Sequence, residues 1–351
     1  MASAARGSYA PTVDAVDAVD AVALLEVAED AGARARRQEA AAFREVEARY
    51  PQVREALDRQ LEAGQPAAGF RLASALVPFW ISTARIDDGD AWFDRALGTT
   101  SGVDAGRARA LYDHGYLVFW AGRYDVSQAR FTEAMAAAEA LGDGSLQGLV
   151  LAGSARVALS TDVAEAVRLL RQALVVTEDL DDGDPGRSSS LHVLGVALQM
   201  SGDLEGAREV MSARLATGRA SGDPSIVWVE SANLSMVERR LGHLERAEEL
   251  SRLALQVVAV RGDEMPVAWV VNGLAAATAA SGRTERAATL LGFAAAMLER
   301  AGGAWPPDER EQHEETLAGV RAVLHPDVLD AALARGAGLS AEDGVAYALH
   351  G

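Results

Sequence analysis

Histidine is the side chain best suited to carry a proton near neutral pH, and six occur in this sequence. His192 is the one whose place on a helix turns it inward, and Tyr112 and Arg239 are the other groups that could share acid–base work with it. Against that stands the plainer reading of His192 as a histidine satisfied by its neighbours. His114 falls where the pattern wants a packing residue. His313, His325 and His350 fall near the C-terminus and read as surface residues. Two acidic clusters, Asp87-Asp88-Gly89-Asp90 and Asp181-Asp182-Gly183-Asp184, suggest calcium. They lack the alternating donors and the glutamate at the twelfth position that an EF-hand needs, and Asp and Gly are ordinary turn residues. No metal site is therefore expected. The sequence has no Gly-x-Ser-x-Gly elbow and no His-Glu-x-x-His, and Gly142-Asp143-Gly144 follows a helix, which excludes a dinucleotide fingerprint. It also has no lysine and no cysteine. Schiff bases, a Gly-Lys-Ser/Thr phosphate loop, thiol nucleophiles and Cys-ligated zinc are excluded with them. No cofactor is expected, and the chain reads as a binder and not an enzyme.

The elements that would position these residues are helices. Hydrophobic residues make up 49% of the 351, yet aromatic ones only 5%. The apolar content is chiefly Ala, Leu and Val, which suits closely packed helices better than strands. A formal net charge of −18 argues against neutralising phosphates, so direct nucleic-acid binding is not expected. The first residues lack the pattern of a signal peptide and no long apolar run could cross a membrane, so a cytoplasmic location is expected.

A mark recurs every 40 residues, at Gly122, Asp162, Gly202, Gly242 and Gly282. Seven residues earlier stand Gly115, Ala155, Gly195, Ser235 and Ala275, and five later Ser127, Val167, Ala207, Ala247 and Ala287. Twenty residues on, helix stops fall at Gly142, Asp182, Gly222, Gly262 and Gly302. Antiparallel helices touch closely only where small side chains meet, and glycine supplies the left-handed backbone that ends a helix. A period of this length marks a solenoid. A sixth unit precedes these, with its turn near Ala84-Arg85-Ile86 and Trp92, Phe93, Ala96 and Leu97 on its second helix. The expected organisation is a low-complexity tail over 1–22, N-terminal helices over 23–66, the repeat array over 67–301 and a helical cap over 302–351. Gly302 to Pro307 is expected to break the helix pattern.

These small–Gly–Ala marks resemble the tetratricopeptide superfamily, although 40 exceeds its usual period of 34. The resemblance implies an all-α, right-handed superhelical solenoid of about six tetratricopeptide-like helix-turn-helix repeats with a C-terminal helical cap. A narrower resemblance, to the C-terminal repeat region of actinomycete signal-transduction ATPases and LuxR-type or antibiotic-regulator-type transcription factors, rests on several phrases. They are 41–50 (Ala-Ala-Phe-Arg-Glu-Val-Glu-Ala-Arg-Tyr), 69–76, 92–97, 286–292, 305–310 and 339–343. It implies a sensing role, without the phosphate loop or basic recognition helix that such regulators carry.

In tetratricopeptide arrays the first helix of each repeat lines a concave groove. The resemblance therefore places Arg109, Tyr112, Tyr116 and Phe119 there, followed by Arg156, His192, Gln199, Met200, Asn233, Met236, Arg239, Trp269 and Asn272. A lining of aromatic, amide and guanidinium groups suits a protein segment or an amphipathic small molecule. Catalysis in that groove and self-association into a homodimer are the alternatives.

Overall fold

The computed structural model describes residues 13–36, 42–260, 264–301, 303, 305 and 307–350. All the regular structure among them is helical. By contact density the chain divides into two compact units, 13–36 with 42–153, and 154–350. The first unit contains α1 (Val13–Arg36), α2 (Arg44–Ala48), α3 (Tyr50–Glu62), α4 (Pro66–Ser82), α5 (Ile86–Gly98), α6 (Ala105–Trp120) and α7 (Tyr124–Leu141). It also holds most of α8 (Gly144–Ala158), whose end opens the second unit. The second unit continues with α9 (Val163–Val176), α10 (Pro185–Ser201), α11 (Leu204–Ser221), α12 (Pro224–Arg240), α13 (Leu244–Ala259), α14 (Glu264–Ala280), α15 (Thr284–Arg300), α16 (Pro307–Val323), α17 (Pro326–Ala337) and α18 (Ala341–His350). No helix among the described residues is long and apolar enough to cross a membrane.

Each antiparallel hairpin closes on a short turn. Gly122, Gly202, Gly242 and Gly282 all hold the left-handed backbone expected of them, with φ between 72° and 87°. The preceding unit does the same with an alanine: Ala84 has φ 56°. Beneath the turn the small residues meet. A Cβ on Gly115 would come within 2.8 Å of the Phe131 ring, and the Ser127 hydroxyl donates to the Gly115 carbonyl at 2.8 Å. Ser235 donates likewise to the Ala247 carbonyl at 2.7 Å. The crossing therefore pairs residues twelve apart.

The second mark departs from the regular count. Asp162 is extended (φ −148°) and is the N-cap of α9, accepting from the Glu165 amide. It stands where Arg123, Asp203, His243 and Arg283 stand in the other units, one residue past their glycines. No residue between Leu159 and Asp162 is left-handed. The buried small residue of α9 is accordingly Ala166 and not Val167, and its crossing partner by count is Ser154, not Ala155. The helix stop expected at Asp182 also lies earlier. α9 ends at Val176, where buried Thr177 turns its hydroxyl onto the Ala173 carbonyl. Of the other stops, Gly142 and Gly222 are left-handed C-caps, while Gly262 and Gly302 lie outside the described residues. Residues 1–12 of the N-terminal tract also lie outside them, and Asp14 to Val22 runs within α1.

In the second unit one apolar cluster runs through α13, α14 and α15 and takes in Val320 of α16, Leu329 and Ala332 of α17 and Ala348 of α18. The α15–α17 crossing is backbone on backbone. A Cβ at Gly292 would land on the Leu333 carbonyl, and one at Gly336 on the Thr289 carbonyl.

Candidate functional site

The first helices of successive hairpins in the second unit are joined by side-chain bonds into one wall. From the end of α8, Arg156 donates to the Ser189 hydroxyl of α10 at 3.3 Å. One turn on, His192 of α10 places Nδ1 2.8 Å from Oε1 of Glu230 on α12. The same oxygen accepts from Arg214 of α11, whose remaining N–H groups reach the carbonyl and hydroxyl of Ser188 at 3.1 Å. Facing a carboxylate, Nδ1 is the donor of this contact, on a half-buried ring. Glu230 itself is 0% exposed, and its Oε2 has no hydrogen-bond partner among the described residues. A wholly buried carboxylate survives only with a cation or donors on it, and here it has the Arg214 guanidinium and the His192 ring N–H.

Arg239 reaches the amide oxygen of Gln312 on α16 at 3.4 Å, and burial lowers its pKa from the usual arginine value. Asn272 of α14 is 0% exposed. Its amide donates to the carbonyl and carboxylate of Glu309 at 3.0 and 2.8 Å, and its oxygen meets His313 at 2.9 Å. Asn272 is thus closed beneath α16 and is not offered to a ligand, because the helix expected to cap the array docks on it. His313 is correspondingly not a surface residue: it stacks on Trp305 at 4.9 Å, and burial lowers its pKa. Gln199, Asn233, Met236 and Trp269 are half-buried, and Met200 is 52% exposed. The indole N–H of Trp269 is buried without a hydrogen-bond partner among the described residues.

The first unit has its own set on α6. Arg109 is paired with buried Asp113 at 2.8 Å and lies over the Tyr112 ring. Tyr112, itself buried, stacks on half-buried Tyr116, and Tyr116 meets Trp120 edge-on at 6.2 Å. Phe119 contacts Trp120 and Tyr124, and Trp120 is 52% exposed. His114 is buried between Asp90, 2.7 Å from Nε2, and Arg130, which donates to Nδ1 at 3.2 Å; burial lowers its pKa. Five acids of these clusters have structural partners: Asp87 and Asp90 hold Arg123, Asp88 accepts from Tyr50 at 2.6 Å, Asp182 pairs with Arg187, and Asp184 caps α10.

Sequence reasoning found His192 and Arg156 but missed Glu230, Arg214 and Ser188. Glu230 had a signal. It shares the buried register of α12 with Leu234 and Val237, a position where a charge must find a cation. Arg214 lies on a second helix and carried no such mark.

No family model matches the chain, and no curated protein matches it either. Solved structures do resemble it. A Rap protein complexed with competence and sporulation factor aligns over 95% of this chain and 99% of its own, at 14% identity and a TM-score of 0.56. The apo form of RapI aligns over 90% and 85%, at 12% identity and 0.56. A signal-transduction ATPase with numerous domains and a tetratricopeptide repeat sensor, from Pyrococcus horikoshii, aligns over 86% of this chain and 48% of its own, at 13% and 0.52. At such identities the likeness is one of fold.

Proposed function

With a tetratricopeptide-like, all-α repeat solenoid as its fold, we propose that the chain is a non-catalytic sensor or adaptor. In this reading it binds an extended peptide or protein segment along the first-helix wall of its second unit. The observation that carries it is the polar run Arg156–Ser189 and His192–Glu230, which crosses from α8 to α10 to α12. Main-chain groups of an extended segment need donors and acceptors at such intervals, on a wall fixed in advance so that little ordering is required on binding. Exposed Met200 supplies an adaptable apolar contact beside it. The relatives in fold support the reading, since one is seen with competence and sporulation factor and another carries a repeat sensor. A place in transcriptional or secondary-metabolism control, within the cytoplasm, is the finer form of the same proposal.

Selection of a displayed random-peptide library on the full chain tests it. A selected peptide, followed by fluorescence anisotropy, should lose at least about tenfold in affinity on Arg156→Ala with His192→Ala, because two hydrogen-bonding anchors go. Unchanged affinity in a folded double variant removes this wall as the binding surface.

The second reading, acid–base catalysis, has the Glu230–His192 pair in its favour, because a carboxylate on Nδ1 orients an imidazole as a base would need. The other two groups it would use are placed against it. Tyr112 is buried in the aromatic stack of the first unit, and the guanidinium of Arg239 turns to Gln312.

A further inference from the structure

The last helix does more than close the array. α18 is seated hard on α15: a Cβ at Gly344 would fall on the Phe293 ring, Ala348 is fully buried, and Arg286 lies over the Tyr347 ring while donating to the Ala348 carbonyl at 3.0 Å. The neighbouring face of the helix remains open. Together with the ends of α13, α14 and α15 it encloses a cleft of about 480 Å³. Its apolar lining includes Val267, Met297, Val345 and Leu349. Two carboxylates, Glu264 and Glu342, stand on the same lining; among the described lining residues there is no arginine, and His350 is the remaining polar side chain. Neither carboxylate makes a hydrogen bond or ion pair with another described residue.

From this juxtaposition we propose that the cleft binds a small organic cation, an amine or amidine carried on an apolar body. The volume lies in the range of small-molecule sites, and α18 is fixed by its glycine contact, so the walls are formed before a ligand arrives. The lining determines the sign of the charge. An anion would meet two carboxylates that no described residue compensates, whereas a cation is drawn to them and leaves its apolar part against Val267 and Met297. The net charge of −18 pulls the same way at longer range. The site lies apart from the first-helix wall and does not depend on the peptide-binding proposal.

Isothermal titration calorimetry of the full chain with 4-phenylbutylamine, and with 4-phenylbutyrate as a probe of equal body and opposite charge, tests the assignment. The amine should bind at one site, and the acid at least about tenfold more weakly. Replacing both acids, half-buried Glu264→Gln with exposed Glu342→Gln, should weaken the amine by about tenfold, both attractions being lost together. Filling the cleft from its exposed edge by Ala346→Trp should abolish binding without touching the seat of the helix. Absence of amine binding, equal binding of amine and acid, or an amine affinity unmoved by the paired glutamines overturns the proposal.

Discussion

Ala84 adopts a backbone conformation that four later turns assign to glycine. An L-residue with a Cβ is strained there by about 1–2 kcal/mol, partly offset because glycine loses more chain entropy on folding. Ala84→Gly should therefore stabilise the protein by roughly 0.5–1 kcal/mol, read as a higher urea midpoint at constant slope. Glu230 lies at the other extreme. Glu230→Ala would strip Arg214 and His192 of their shared buried carboxylate, and a loss of about 3–5 kcal/mol is expected in the same assay. Buried His114 and half-buried His313 give a third outcome. Burial lowers the pKa of His114 and His313, so the unfolded chain binds protons that the folded chain refuses. Stability should be full above the unfolded value of about 6.5 and fall as the pH drops below it. A His114→Asn, His313→Asn variant should show a flatter decline in denaturant titrations between neutral and mildly acid pH. Of these residues the sequence made Ala84 legible as a turn and His114 as packing. The environment of His313 was hidden, because its partners Trp305 and Asn272 come from separate elements that meet only in the fold.

At the scale of elements, the marks spaced 40 residues apart located the five hairpins from α6 to α15 but not the phase of each one. The regular turns announce themselves because a left-handed residue is nearly always glycine. The α8–α9 turn uses none, so a fixed count of 40 passed over its shift and assigned Val167 a place that Ala166 fills. The C-terminal elements were legible as helices from their caps and prolines, whereas their seats were not. Contacts such as Gly336 against the Thr289 carbonyl, or Gly344 against Phe293, join positions too distant in sequence for any local pattern to register. They have a clear consequence for stability. Gly336→Ala must part α15 from α17, and overpacking of this kind costs about 1–3 kcal/mol, measurable by denaturant unfolding.

At the scale of the molecule, neighbouring repeats share one core, so an end must be sealed. In the second unit that seal is α16 to α18, which contribute Val320, Leu329, Ala332 and Ala348 to the cluster around Leu290 and Phe293. A chain ending at residue 301 should expose that surface and bind a hydrophobic dye, and it should associate in light scattering while the full chain does not. The same helices account for one residue, Asn272, lost from the expected groove. An acidic composition, a repeat period and a covered last face could all be read in advance. That the cover would take Asn272 with it could not, since a buried amide and an offered one look alike in a helical register.

The turn between α8 and α9 governs how this chain could be cut and rejoined. Successive N-caps at Arg123, Asp162, Asp203, His243 and Arg283 define interchangeable blocks only from Asp203 onward, where the spacing is uniform. A cassette excised by naive counting across Asp162 would arrive one residue out of step. Each residue turns an α-helix by about 100°, so its buried stripe would face water. Grafts bounded at Asp203 and His243 should splice cleanly, and those bounded by a glycine count at 162 should not.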